Sequence, residues 1–377
     1  MQVAVDACPG MLTLHPARDG DVVRIRLPGG YVTSRRWSAI AALACEFGDG
    51  NVDITARGNL QVRGVQGGSA AELAGRAASA GLLPSGSHDR ARNVTASPLA
   101  GLGDHPPLRR LVEALDAAIV ADPGLAALPG RFVFAVDDGT GGAALARSDV
   151  GLRCDWPRAE LFIAGRSAGI LLPVGAAVPA AIIAARTAVA LGVGTNVARI
   201  RDLSGGGAAV AAAIGGRVGA AAPPDGGRLS LGAVSLAGRD VVIVAARLGR
   251  LTTAQMTVAG SVLRGADVLR LAAAGRVVIP LAVAPATAAA RLAGSGLLTS
   301  EEDVMSGVSA CSGLACSRSV ADVRARARPL PGHPRTHWAG CSRGCGAPAD
   351  ADLIVAAGPE SFLIGGQPAA VTIAGAS

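Results

Sequence analysis

Four of the seven cysteines fall within 35 positions: Cys311, Cys316, Cys341 and Cys345. Four thiolates can hold a zinc ion or an iron–sulfur cluster. Structural zinc favours tight Cys-x2-Cys knuckles, and neither pair here has that spacing. Wider, unequal pairs suit a cubane, whose irons point to the corners of a larger body. Gly313, Gly340, Gly344 and Gly346 flank these cysteines and let backbone N–H groups approach the sulfurs. Ser317 to Arg328 reads as a helix ended by Pro329, which puts Cys316 near a helix N-terminus. Cys8, Cys45 and Cys154 stand alone and read as small buried hydrophobes. His337, four residues before Cys341, is a candidate iron ligand or general acid, with a packing histidine as the plain alternative. His88 and His105 are expected to be exposed.

The second chemical resource is arginine. All 35 basic residues are Arg, and no Lys occurs in 377 residues. This excludes chemistry that needs a lysine, such as a Schiff base or a phosphate-loop lysine. The formal charge is +7 and aromatics make up 2%, so there is no stacking platform for single-stranded nucleic acid. A fixed guanidinium pairs carboxylates bidentately. The scattered arginines therefore suit a small polycarboxylate ligand, against a background of Arg used as a surface cation.

These residues need a frame, and the chain reads as a diverged duplication. Val22–Leu27 is a strand, Ser34–Phe47 a helix, Val52–Val65 a strand pair and Ala70–Ala80 a helix. The same order recurs as Val241–Ala246, Thr252–Leu263, Val268–Pro280 and Pro285–Ala293. Glu160–Pro173 echoes Asp352–Gly365 as paired alternating strands. The expected units are 18–86, 87–203, a Gly- and Ala-rich linker 204–228, 229–299 and 300–377. The fold class is α+β with mainly antiparallel sheets and a ligand where the repeats meet. Ser167–Ala185 carries no charge, but Pro173 and Pro179 break it into strand, turn and helix rather than a membrane span. Met1–Gly10 lacks the features of a secretory signal, so a cytoplasmic location is expected. Gly192-Val-Gly-Thr-Asn-Val197 lacks the third glycine and the strand-to-helix setting of a dinucleotide loop. No NADH site is expected on this chain.

The order Cys311-x4-Cys316, then His337-Trp-Ala-Gly-Cys-Ser-Arg-Gly-Cys-Gly-Ala-Pro348, resembles the signature of the sulfite and nitrite reductase superfamily. Thr55-Ala-Arg-Gly-Asn-Leu-Gln-Val-Arg-Gly64, Arg92-Asn-Val-Thr-Ala-Ser-Pro98 and Leu128-Pro-Gly-Arg-Phe132 resemble further motifs of it. Within the superfamily the wording is most similar to the precorrin-3B synthases. The resemblance implies an internally duplicated reductase-like fold and a [4Fe-4S] cluster on Cys311, Cys316, Cys341 and Cys345. It implies a monooxygenase that hydroxylates precorrin-3A with O2 and forms a lactone in cobalamin biosynthesis. NADH would be the ultimate electron source, delivered by a separate reductase or ferredoxin, and an additional non-haem iron is associated with the family. Arg57, Asn59, Arg63, Arg92 and Arg131 would hold the carboxylates of the tetrapyrrole. Two departures stand out. The first cysteine pair is one residue shorter than the usual Cys-x5-Cys. The two lysines that anion reductases carry around Arg131–Val133 are missing, which weighs against the alternative of a sirohaem-dependent reductase. A non-catalytic tetrapyrrole carrier is the second alternative.

Overall fold

The computed structural model describes residues 8–223, 228–348 and 350–368. The first half runs β1 (Asp21–Ile25), β2 (Tyr31–Thr33), α1 (Ser34–Phe47), β3 (Asn51–Ile54), β4 (Leu60–Val65) and α2 (Ala70–Ser79). It continues as β5 (Val94–Ala96), α3 (Arg109–Ala121), β6 (Phe134–Asp137), β7 (Val150–Asp155), β8 (Arg158–Ile163), β9 (Arg166–Pro173), α4 (Ala177–Ala190) and α5 (Gly206–Ala213). The second half runs β10 (Gly232–Leu236), β11 (Arg239–Ala245), β12 (Arg250–Thr252), α6 (Thr253–Val262), β13 (Val268–Ala272), β14 (Arg276–Pro280) and α7 (Pro285–Gly294). It closes with β15 (Val308–Ala310), α8 (Val323–Arg326), β16 (Thr336–Ala339), β17 (Asp352–Ala356), β18 (Phe362–Ile364) and β19 (Gln367–Pro368).

The duplication is expressed in the sheets. One sheet has the order β1-β4-β3-β12 and its counterpart β10-β11-β14-β13-β2, all antiparallel. Each half thus gives a short strand to the edge of the other half's sheet. The helices behind these strands begin alike. The Thr33 side chain accepts from the Arg36 N–H, and Thr252 forms a capping box with Gln255, which satisfies orphan donors of the first turn. Gly30 precedes β2 at φ +70°, and a Cβ there would lie 2.4 Å from the Leu271 carbonyl oxygen. Only glycine allows the two halves to approach so closely. One core spans the exchange, from Ile25, Trp37 and Leu60 to Val244, Met256 and Leu292. The buried Trp37 indole donates to the Met256 carbonyl at 2.7 Å, tying α1 to α6.

The other two sheets, β5-β6-β7-β8-β9 and β15-β16-β17-β18-β19, repeat one pattern: two parallel pairings, then two antiparallel ones. The repeat at Asp352–Gly365 therefore corresponds to β7–β8, one hairpin earlier than the expected Glu160–Pro173. Both hairpins alternate around a glycine turn, so local pattern alone does not separate them. The stretch 204–228 is not only a linker: α5 buries Val210 and Ala211. Beyond it the chain returns to β9, where the Ser167 N–H donates to the Ala220 carbonyl at 2.8 Å. Residues 224–227 of that stretch, 1–7 of the N-terminal reading and 369–377 of the last unit lie outside the described residues. No helix among the described residues is long and apolar enough to cross a membrane. Gly192 lies just after α4, the C-terminal end of a helix and not the N-terminal end a dinucleotide loop would open.

Candidate functional site

Cys311 directly follows β15, and Gly340-Cys341 directly follows β16. The two strands are parallel neighbours, so both cysteine loops leave the same carboxyl edge, where open sheets place ligands. A single 3-10 turn, Gly313–Ala315, carries the chain to Cys316. All four cysteines, with Ser312, Ser319, Ala339 and Gly340, surround one cavity of about 50 Å³. A Cβ on Gly340 would lie 1.8 Å from the Ser319 hydroxyl oxygen, so the close turn into Cys341 requires glycine. The Gly340 and Gly313 N–H groups donate to Cys311 Sγ at 3.2 and 3.4 Å, and such bonds stabilise sulfur-borne negative charge. Burial raises the pKa of Cys345; Arg343 lowers it, and Cys341, Cys311 and Cys316 raise it further.

The first repeat carries a twin of this corner. Strand register equates Ser97 with Cys311, since each follows a parallel strand paired at the same step. The Ser97 N–H donates to the Val136 carbonyl as the Cys311 N–H donates to the Trp338 carbonyl. The Asp138 N–H donates to Ser97 Oγ at 3.2 Å, as Gly340 does to Cys311 Sγ. In the twin, the Asp137 carboxylate accepts from the Gly139, Gly141 and Ala143 N–H groups. Ala339 stands at the Asp137 position of the second repeat, leaving the corner open. A site filled by a carboxylate in one copy is thus ringed by thiols in the other. That donor set fits an anionic iron–sulfur body. Among the described residues, no three His, Cys, Asp or Glu side chains gather as a single ion would require; no ligand set for a further iron is found there.

Beside this corner lies a cavity of about 740 Å³, which shares Cys311, Ser312, Cys316 and Cys345 with it. Arg57, Asn59, Arg63, Arg131 and His337 line it, as do the unanticipated Arg24, Gln61, Arg324 and Arg343. Arg57 and Asn59 occupy the turn between β3 and β4. Burial lowers the Arg57 pKa to about 10, and its Nη1 donates to the Gly130 carbonyl at 3.2 Å. Arg131 is exposed and reaches the cavity from the opposite loop. Asn59 fixes the wall: its Oδ1 accepts from the Leu27 N–H at 2.9 Å and its Nδ2 donates to Asn93 at 3.0 Å. Arg24 lies opposite Gln61 in the β1–β4 register and donates to it at 2.7 Å. Alternation along these two strands was the signal that could have found the pair.

Several expectations need correction. Arg92 is not part of the cavity lining; it is 4% exposed and bonds both Asp116 oxygens at 2.8 Å. Arg63 lines the cavity but is held bidentately by Asp19 at 2.9 Å. His337 is buried, with Nε2 3.1 Å from the Cys345 carbonyl and Nδ1 2.9 Å from the Ser309 hydroxyl. A carbonyl only accepts, so Nε2 carries the proton and Nδ1 faces the hydroxyl. Burial lowers the His337 pKa to about 4. With both nitrogens engaged, His337 positions the Cys345 loop and serves neither as iron ligand nor as general acid. The helix expected over 317–328 is reduced to Val323–Arg326, so Cys316 gains no helix N-terminus. Cys154 is buried, but Cys45 is exposed and Cys8 lies on the cavity wall. His88 is buried, with Nε2 2.9 Å from the Asp122 carbonyl.

The sheet pattern and the cysteine corner define a class, that of the duplicated nitrite and sulfite reductase fold. Residues 15–80 match the family model described as nitrite/sulfite reductase ferredoxin-like half domain. Among individual proteins, the structure of Mycobacterium tuberculosis NirA superposes with a TM-score of 0.72, covering 91% of this chain and 74% of that one at 20% identity. The ferredoxin–nitrite reductase of Leptolyngbya laminosa is 40% identical over 84 residues, 22% of this chain and 16% of that protein. The precorrin-3B synthase of a Sinorhizobium species is 41% identical over 68 residues, 18% of this chain and 15% of that protein. These matched stretches span less than a fifth of the curated relatives' length.

Proposed function

We propose that the chain is an iron–sulfur oxidoreductase acting on a carboxylated tetrapyrrole, a monooxygenase of the precorrin-3B synthase type. The observation that carries this reading is the shared wall. A 740 Å³ cavity edged by arginines opens onto the corner ringed by Cys311, Cys316, Cys341 and Cys345. That volume suits a tetrapyrrole macrocycle.

A [4Fe-4S] cluster held by the four cysteines would supply electrons one at a time at the cavity edge. The chain's own residues do the rest. Arg57 and Arg131 pair ring carboxylates, and Arg24 with Gln61 presents a polar strand face to the ring. Asn59 holds the Arg57 turn in place, and neutral His337 fixes the Cys345 loop without donating a proton to the reaction. The overall balance is that of a monooxygenase. One atom of O2 enters the ring carbon as hydroxyl, and the other leaves as water with two electrons and two protons. Those electrons derive from NADH through a separate reductase or ferredoxin, and lactone formation with a ring acetate follows. The additional non-haem iron has no assigned ligand.

A second reading, a sirohaem-dependent sulfite or nitrite reductase, is favoured by the nitrite reductases among the relatives. The pocket chemistry opposes it. Val133 is 6% exposed and lies outside the cavity lining. No lysine exists to serve as proton donor beside a bound anion. Purified protein given precorrin-3A, 18O2 and an electron source is expected to yield a product heavier by one labelled oxygen atom. Stoichiometric sirohaem in the visible spectrum, or reduction of sulfite or nitrite at an enzymatic rate, would overturn the monooxygenase in favour of the reductase. Tetrapyrrole binding without turnover would favour the carrier.

A further inference from the structure

The Cys311–Cys316 loop is one residue short for its superfamily and is pinned from outside by two arginines. Arg324 donates from Nη1 to the Cys311 carbonyl at 3.2 Å and from Nη2 to the Leu248 carbonyl at 3.1 Å. Its nearest carboxylate, Asp53, is 3.9 Å away, beyond hydrogen-bond range, and that carboxylate already holds Arg250 bidentately. Arg63 reaches the same loop, donating to Ser312 Oγ at 3.2 Å and to the Ala315 carbonyl at 3.3 Å. In the first repeat the Asp137 carboxylate braces residues 139–143, the counterpart of the Cys341–Cys345 loop. Ala339 offers no such brace in the second repeat, where the Cys311–Cys316 loop is held by the two guanidinium groups from the side of the large cavity.

Resting on the cluster reading above, we propose that Arg324 is the positioning residue that fixes Cys311 and holds up the reduction potential of the cluster, with Arg63 as its partner clamp. Reduction adds one electron to the cluster. A fixed cation beside Cys311 favours the more negative, reduced form. Burial strengthens that field, because the surrounding dielectric is low. The Leu248 bond adds a mechanical element. Leu248 sits at φ +53°, a left-handed conformation costly for a branched side chain, where its counterpart in the first half is Gly29. The strained turn is a wall of the large cavity, and Arg324 joins that wall to the cysteine loop.

The test is an EPR-monitored redox titration of anaerobically reconstituted full chain, with iron and sulfide measured on the same samples. Arg324→Gln, which keeps hydrogen bonding but loses the charge, is expected to load iron. At a fixed potential near the midpoint it should show about a tenfold lower reduced-to-oxidised ratio, about 59 mV for one electron. Arg324→Lys should recover most of the shift. Asp53→Asn, which removes the opposing carboxylate, should move the midpoint upward. A wild-type midpoint in a fully loaded Arg324→Gln would overturn the inference. If that variant fails to load, an unchanged or lowered midpoint in Asp53→Asn would overturn it instead. Wild-type protein without a cubane signal would sink the cluster reading itself, a distinct result.

Discussion

Asp53 and Arg250 face each other across the β3–β12 pairing, and the guanidinium takes both carboxylate oxygens at 2.7 and 3.0 Å. One residue comes from each half of the duplication. At the twin position, Arg270 on β13 faces Tyr31 on β2, with the guanidinium 5.9 Å from the ring centre. The exchanged edge strand is thus latched by an ion pair in one sheet and by a cation–π contact in the other. The Asp53–Arg250 pair is partly shielded, at 15% and 24% side-chain exposure. Charge-assisted bonds of this kind contribute roughly 1.5–3 kcal/mol. Arg250→Ala should lower the urea unfolding free energy by about that amount. Arg109→Ala, which breaks an exposed i,i+4 pair with Glu113, should cost less than about 0.5 kcal/mol. Equal effects of the two substitutions would show that the latch is not a stability element.

Arg92 and Arg57 make opposite predictions. Breaking the shielded Arg92–Asp116 pair leaves an uncompensated carboxylate and costs roughly 3–5 kcal/mol. Arg92→Ala should therefore melt much earlier, yet bind a carboxylated tetrapyrrole with unchanged affinity wherever it is folded. Arg57→Ala and Arg131→Ala should melt near the wild-type temperature. Each should weaken binding roughly ten- to a hundredfold, the value of one charge-assisted carboxylate contact. Fluorescence quenching against a carboxylated tetrapyrrole, beside thermal melts, reads both quantities. Loss of affinity in folded Arg92→Ala would return that residue to the binding set.

What the sequence disclosed follows from how local each signal is. The α1 range matches residue for residue, because Thr33 caps one end and Gly48 stops the other. That the four cysteines gather at one corner was legible because they are clustered in sequence and flanked by glycines. The helix over 317–328 failed for a nonlocal reason. Arg18, three hundred positions away in order of magnitude, takes the Ser317 and Ser319 carbonyls, and Val320 donates to the Gly340 carbonyl. Arg92 failed likewise, since its partner Asp116 sits on α3, 24 positions on. An arginine's type and motif do not reveal which carboxylate reaches it first.

Thiol chemistry separates the cysteines by environment. Burial, with Asp137 and Asp138 nearby, pushes the Cys154 thiol up to about 12. At pH 8 its thiolate fraction is then about one in ten thousand, rising tenfold per pH unit. Cys45 is exposed. Iodoacetamide at pH 8 should modify Cys45 within minutes and spare Cys154 in the folded chain, as peptide mass mapping would reveal. Cys341→Ser should lose the iron and sulfide that wild type binds, while Cys45→Ser should keep both. Wild-type cluster content in Cys341→Ser would remove that residue from the ligand set.

A duplicated fold could offer two tetrapyrrole sites, and the sequence difference between the copies argues for one. On the sheet that faces the cavity, β1 and β4 present Arg24, Gln61 and Arg63. At the matching places on β11 and β14 stand Ile243, Val278 and Pro280. That second face is not open: Val241, Ile243 and Val278 pack with Leu102, and with the partly buried Leu99, Leu229, Leu231 and Leu236. Strand β10 and the turn before α3 fill the twin pocket, and burial of those side chains opposes reopening it by roughly 1.5–3 kcal/mol for each large one. Calorimetric titration with a carboxylated tetrapyrrole should therefore saturate at one ligand per chain. Ile243→Arg should destabilise the fold without adding a second site, because an unpaired cation would be forced against the leucines. Saturation at two ligands per chain, with one retained on substitution of Arg57, would show that the closed face opens in solution and would refute the single-site arrangement.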